Sequence, residues 1–303
     1  MDLGLFKIRE GKLNLNDWKT INSRYEGELP ESAKEGFRSD TCLTVMETSQ
    51  EVNVENHNKL ADLGIPVATI PSKGKGRHHT QSVNQMGQIP ATSHIAVGSR
   101  VLLTKNQLSL TPLGLNNGAI GKVIAILDAE GEAPPSFPEA VVVDFPRYKG
   151  PSRLPEHPTW VPIPDTNCCS RRGFPLMPGY CIPISKSQGM TIGPNEPSTH
   201  TRIKLNKEIF MEKLNLGITY TALSRASKLE NVALVEKVPY DRLNYTNNHP
   251  WMPRRREEEE RLKILSGETL QTFGHYSDLN TYRELLCEFV RFVNDGLTCF
   301  QDP

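Results

Sequence analysis

No stretch of this 303-residue sequence reads Gly-x-x-x-x-Gly-Lys followed by Ser or Thr, so it lacks the backbone cradle that grips nucleotide phosphates. Two stretches come near and fail. Gly118-Ala119-Ile120-Gly121-Lys122-Val123 has Asn116 where the first glycine is needed and Val123 where the hydroxyl is needed. The apolar run Val123–Leu127 ending at Asp128 imitates a magnesium-binding strand, but Lys122 and Asp128 would stand ~20 Å apart at ~3.3 Å per strand residue. Charge of one sign is absent as well, since 35 Lys and Arg balance 35 Asp and Glu and global electrostatics point to no partner. The six cysteines include no Cys-x-x-Cys pair, which argues against a zinc site or a disulfide framework and for a reducing, intracellular setting. No apolar run nears the ~20 residues that cross a bilayer, and Met1–Arg9 is too short in apolar residues for a signal peptide. Neither a metal nor a membrane is expected.

What remains is enough for buried cores. Hydrophobic residues make up 37%, while 23 Pro and 22 Gly call for many loops. The length suits two domains, or one domain with an insertion. Asn14 and Asp17 can cap a helix carrying Leu15, Trp18 and Ile21. Cys42–Met46 reads as a strand, followed by a helix through Val52, Asn56, Leu60 and Leu63 that stops before Gly64 and Pro66. Residues 70–94 read as a loop. From Val97 the texture turns to short strands (100–104, 119–127, 140–145, 159–163) separated by turn-formers, as in a small barrel. An α/β texture resumes with a strand over 179–184, and continues through 202–205, a helix over 217–226 and a strand over 232–235. Residues 254–265 predict a charged helix with pairs such as Glu257 with Arg261 and Glu259 with Lys263. Thr281 and Glu284 form a capping box before a second helix with an apolar face of Leu285, Leu286, Phe289, Val290 and Val293. Between Leu63 and Leu127 stand six Lys or Arg and no acidic residue, which is either a phosphate-neutralising surface or a chance bias in a solvated loop.

The stretches that carry chemistry occur in order. They are Phe6-Lys7-Ile8-Arg9-Glu10-Gly11 with Trp18; Thr48, Val52, Asn56 and Leu60; and Gly98-Ser99-Arg100-Val101-Leu102-Leu103-Thr104-Lys105-Asn106. Next stand Gly114-Leu115-Asn116-Asn117-Gly118-Ala119 and Phe145-Pro146-Arg147-Tyr148-Lys149-Gly150-Pro151. Pro175-Leu176 then leads into Lys186-Ser187-Gln188-Gly189-Met190-Thr191, and Tyr220-Thr221-Ala222-Leu223-Ser224-Arg225 closes the series. Taken together, over about residues 3–265, this series resembles the carboxy-terminal half of the Pif-type, superfamily 1 (5′-to-3′) ATP-dependent DNA helicases, the Helitron-type helicases included.

The resemblance implies an α/β fold. A second RecA-like helicase lobe would run over 1–97 and 174–250, interrupted by a small Src-homology-3-like β-barrel over 98–173 and followed by a helical tail over 251–303. It implies Arg225 as an arginine finger for the γ-phosphate, since a guanidinium is always charged and planar. Gln188, Gly189 and Tyr220 would face the nucleotide with it. Lys105, Asn106 and Asn117 on the barrel, with Lys186, Ser187 and Thr191 on the lobe, would touch single-stranded DNA. The family uses ATP and Mg²⁺, but neither is expected to bind this chain tightly alone, and a separate chain supplying the first lobe is an implied partner. A nuclear setting is expected, or a mitochondrial one, with roles in DNA repair, recombination and telomere maintenance. Two departures stand out. Relatives carry His where this chain has Ser185, and a small or hydroxyl residue where it has Pro183, whose missing N–H would break a ladder inside a sheet. The competing reading is a non-enzymatic nucleic-acid-binding or regulatory protein that kept the DNA-facing surface.

Overall fold

A computed structural model describes residues 7–74, 82–83, 85–106, 111–128, 136–152, 154–168 and 171–273. The expected terminal helix with its capping box at Thr281, along with Leu5, Phe6, Lys75 and Arg77, lies outside them. Residues 1–247 form one compact unit and residues 248–303 a second.

Helix α1 (Leu15–Asn22) opens on a reciprocal capping box: the Asn14 carboxamide oxygen accepts the Asp17 N–H at 2.9 Å, and the Asp17 carboxylate accepts the Asn14 N–H at 3.0 Å. Helix α2 (Glu31–Arg38) buries only Phe37, so it carries no apolar stripe at helical spacing. Strand β1 (Cys42–Met46) is buried over its last four residues. Helix α3 (Ser49–Asp62) is capped by Thr48 and buries Val52, Asn56 and Leu60. Residues 70–94 are not wholly the loop that their composition suggests. Strands β2 (Ala68–Pro71), β3 (Lys73–Gly74) and β4 (Thr92–Ile95) lie in or beside this stretch, with β2 antiparallel to β4. Pairing partners more than twenty residues apart supply the order that local composition does not.

Strands β5 (Arg100–Leu103), β6 (Ile120–Leu127), β7 (Ala140–Asp144), β8 (Trp160–Pro164), β9 (Thr166–Cys168), β10 (Arg171–Gly173) and β11 (Leu176–Pro178) follow. Five of them make an antiparallel sheet in the order β11-β5-β6-β7-β8, and β3-β10-β9 form a second, smaller sheet. Since β11 pairs with β5, the antiparallel region runs to Pro178, past the residue 173 taken as its end from sequence. The chain then enters β12 (Cys181–Pro183), α4 (Ile184–Ser187), β13 (His200–Lys204), α5 (Phe210–Leu214), α6 (Ile218–Leu223), β14 (Val232–Leu234) and α7 (Tyr240–Asn244). Here a parallel sheet forms in the order β12-β1-β13-β14, in which β1, β12 and β14 are mostly apolar and buried while β13 alternates buried Thr201 and Ile203 with half-buried His200, Arg202 and Lys204.

Strand β5 joins the two sheets through the period-two alternation of its side chains. Val101 and Leu103 pack with Val123, Val141, Val143 and Ile163 in the core of the antiparallel sheet. Leu102 packs with Leu43, Val45, Ile182 and Ile203 in the core of the parallel one. Arg100, on the Leu102 side, is buried and donates to the carbonyls of Asp40 (2.6 Å) and Cys42 (2.9 Å) and to the Ser198 hydroxyl. Burial pushes its pKa down to about 10. One of the six cations in the basic stretch is therefore an internal fastener, not a phosphate contact.

The second unit contains α8 (Trp251–Phe273). Its ion pairs differ from those expected. Arg255 pairs with Glu259, Arg261 with Glu258 and Lys263 with Glu260, so two of the three use i,i+3 spacing. All are exposed or half-exposed, so solvent screens them and they add little to stability.

Candidate functional site

Strand β12 has a partner only in β1 and forms an edge of the parallel sheet among the described residues. Pro183 ends that strand and caps α4 (φ −70°, ψ 150°), so its missing N–H breaks no interior ladder. The sequence-level objection to Pro183 therefore falls away. The single turn of α4 places Ser185 outward and Ser187 inward. Ser187 is fully buried and its hydroxyl donates to the Ile184 carbonyl at 2.7 Å. That removes it from the expected DNA contacts, because α4 is a helical turn where a loop was expected and the i,i+3 bond claims the hydroxyl. Lys186 is half-buried with its Nζ 4.0 Å from the Met177 sulfur, and burial lowers its pKa. Gly189 turns the chain at φ +86°, a conformation that L side chains avoid, and Gln188, Gly189 and Thr191 are exposed.

This loop is zipped to the end of α6. The Ile192 N–H donates to the Arg225 carbonyl and the Ser227 N–H to the Ile192 carbonyl, both at 2.8 Å. Arg225 is half-buried. Its Nε donates to the Thr221 carbonyl at 3.0 Å and Nη2 to the Ser224 hydroxyl at 2.8 Å. Its Nη1 reaches the Ser187 and Met190 carbonyls only at 3.5 and 3.4 Å. The guanidinium thus leans on the back of the Lys186–Thr191 loop through long bonds and keeps a partly open face. Tyr220 is half-buried against the parallel-sheet core and does not reach the loop-side groove.

At its other end, α6 is held by buried charge that the sequence did not signal. Gly217 has no capping side chain, and the Glu212 carboxylate takes over, accepting the N–H groups of Gly217 (2.7 Å) and Thr219 (3.1 Å) and the Thr219 hydroxyl (2.6 Å). The Arg242 guanidinium donates to the same hydroxyl and to the carbonyls of Asn206 and Glu208. It also forms an ion pair with Glu47 in which both side chains are fully buried. Nothing in spacing or composition links positions 47, 212, 219 and 242.

Between the antiparallel sheet and the loop after α4 runs a groove of about 740 Å³. It gathers Asn106 and Asn117 from one side and Lys186, Gln188, Gly189 and Thr191 from the other, six of the ten residues singled out from sequence. The Asn106 carboxamide oxygen accepts the Asn117 N–H at 2.6 Å, which ties the residues that follow β5 to those that precede β6. Lys105, Ser187, Tyr220 and Arg225 do not line it. Other lining residues were given no role from sequence, among them Gln88, Arg147 and Glu196. Gln88 arrives from the segment taken as a plain loop, and Arg147 with Glu196 forms an ion pair between the β7–β8 connection and the segment preceding β13.

Among the described residues no three His, Cys, Asp or Glu side chains are grouped to hold a metal ion. A guanidinium with two long hydrogen bonds, however, is one that a phosphate oxygen can recruit at little cost.

No protein-family model matches the chain. Over 259 residues, 81% of this chain, it is 27% identical to the ATP-dependent DNA helicase PIF1 of Danio rerio and covers 35% of that protein. Among solved structures it resembles a Pif1 helicase from Candida albicans with a TM-score of 0.57, at 22% identity over 88% of this chain and 57% of that one. It resembles a Bacteroides Pif1 helicase in complex with ADP-AlF3 and single-stranded DNA with a TM-score of 0.56, at 17% identity over 85% and 52%. The chain spans about half of these solved proteins and 35% of the curated one. Its α/β fold is that of the Pif1 helicase structures, and its likeness to the carboxy-terminal half of the Pif-type helicases holds in sequence and fold together.

Proposed function

We propose that this chain, like a Pif-type helicase over the carboxy-terminal half in sequence and fold, works as the distal half of such a motor. It would grip single-stranded DNA and offer Arg225 to a triphosphate held by another lobe. The supporting observation is the loop from Lys186 to Thr191, which has two faces. Lys186, Gln188, Gly189 and Thr191 line the groove on one, while the Ser187 and Met190 carbonyls receive the Arg225 guanidinium on the other. A γ-phosphate that drew Arg225 away would release two carbonyls of the loop that contacts the strand. Nucleotide state and strand grip would thereby share one element. On this reading residues 1–97 and 174–250 act as the second RecA-like lobe, and the antiparallel region acts as the inserted Src-homology-3-like barrel.

The purified chain should bind single-stranded oligonucleotides, bind them less tightly after Lys186→Glu, and show no ATP turnover. DNA-stimulated ATPase activity would overturn the half-motor reading. A second reading is favoured by the same geometry. In a non-enzymatic nucleic-acid-binding protein, Arg225 would serve only to brace the groove wall from behind. Arg225→Ala would then weaken oligonucleotide binding in the absence of any nucleotide, whereas a finger held in reserve would leave that binding unchanged.

A further inference from the structure

The groove has one acidic side chain among its described lining residues, and that side chain occupies one of its two cations. Glu196 forms an ion pair with Arg147 through Oε2 and Nη2, while Lys186 stands apart with its ammonium near the Met177 sulfur. The pair joins the two walls. Arg147 lies in the connection between β7 and β8, and Glu196 in the segment between α4 and β13. A carboxylate in a groove read as a seat for phosphates needs a reason, since like charges facing one another cost affinity.

Both backbones are fixed where the pair forms. Gly114 (φ +93°) lies so close to the Arg147 carbonyl that a Cβ there would collide with its oxygen. The Tyr148 and Lys149 N–H groups donate to the Phe145 and Leu113 carbonyls, each at 2.9 Å. On the other wall the Glu196 N–H donates to the Gly193 carbonyl at 2.9 Å, and the Gly193 N–H to the Ser198 carbonyl at 3.0 Å. Ser198 is itself buried, with its hydroxyl bonded by the Arg100 guanidinium. The two side chains differ in exposure, 55% for Arg147 against 18% for Glu196. The carboxylate is therefore held in its wall, and the guanidinium reaches it from the solvent side. An arginine this exposed exchanges partners at small cost, and its planar fork meets a phosphate as readily as a carboxylate.

We propose that Arg147 is a phosphate-binding residue of the groove, and that Glu196 occupies it as an internal stand-in until a phosphodiester of a single strand displaces the carboxylate. The proposal rests on the groove being the nucleic-acid site. The test uses the full chain and fluorescence anisotropy with a labelled oligodeoxythymidylate over a salt series. The two halves of the pair should act in opposite directions. Glu196→Gln should tighten binding about two- to fivefold, the worth of a solvent-exposed ion pair. It should also steepen the log–log salt slope by up to ~0.7, the share of one phosphate on a single strand. Arg147→Gln should weaken binding and flatten the slope, and Arg147→Lys, which keeps the charge, should recover part of the loss. In the Arg147→Gln background, Glu196→Gln should gain much less, because the cation it would unmask is gone. A staple that only holds the walls together would be broken alike by either substitution. Losses at both positions, or no change on Glu196→Gln, would therefore overturn the proposal. So would a tightening by Glu196→Gln that persists undiminished without Arg147, which is plain repulsion of the strand. The groove would remain the site in each case if Lys186→Glu still weakened binding. Binding indifferent to all of these substitutions, or absent from every variant at low salt, would overturn the groove itself and the proposal with it.

Discussion

The two ends of helix α6 are built on opposite principles. At its start, the Glu212 carboxylate and the Arg242–Glu47 pair are sealed from solvent and make short, charge-assisted bonds to backbone and hydroxyl groups. At its finish, Arg225 is half-exposed and two of its bonds lie at 3.4 and 3.5 Å. The same residue type stands at both ends, yet desolvation turns one arginine into a structural rivet and leaves the other able to exchange partners. A helix anchored at one end and loosely tied at the other suits an element that must report a change without unfolding.

That contrast can be broken. Arg242→Met leaves Glu47 buried without its partner and should destabilise the protein by about 3–5 kcal/mol in urea unfolding, the cost of a stranded buried charge. Arg225→Met should cost less than about 1 kcal/mol in the same experiment. Equal losses at the two positions would erase the distinction. Next in size, Glu212→Gln keeps the volume but turns an amide donor toward the N–H groups of Gly217 and Thr219. A loss of about 1–3 kcal/mol is expected. Gly189→Ala meets no atom within 4 Å, so its cost should be the left-handed backbone alone, about 1–2 kcal/mol.

The smallest effect concerns pH and falls on the loop between the two regions. Burial lowers the Lys186 pKa in the folded protein, so between that value and its ordinary 10.5 the unfolded chain binds the extra proton. Stability should therefore rise slightly with pH through that window. Oligonucleotide affinity should fall over the same range, since only the ammonium form attracts phosphate. Lys186→Arg, charged throughout, should flatten the affinity profile. A profile unchanged by that substitution would take Lys186 out of the interface.

Where sequence reading worked, the signal was local. The Asn14–Asp17 box, the apolar run Cys42–Met46 and the helix through Val52, Asn56 and Leu60 each express a preference complete within a few residues. The groove was partly legible for the same reason, as Asn106, Asn117, Lys186, Gln188, Gly189 and Thr191 sit in contiguous motifs that the fold brings together. Ser187 failed because its direction depends on the turn of α4, in which one step of sequence rotates a side chain from solvent to interior. Gln88 stands in a stretch of Ser, Gly and Gln that reads as a loop, and distant partners hold that segment in place: the pairing of β2 with β4, the Thr104 hydroxyl on the Gln88 carbonyl and the Arg171 guanidinium on the Ile89 carbonyl.

Sequence by itself determined the order of the motifs, the caps and the apolar strands, since these obey rules spanning a turn of helix or a few steps of strand. Tertiary structure alone decided which charges do internal work. Arg100, Glu47, Glu212 and Arg242 are ordinary charged letters until burial removes the water that would solvate them. From then on each must find a partner from a distant part of the chain, and no local pattern records that choice.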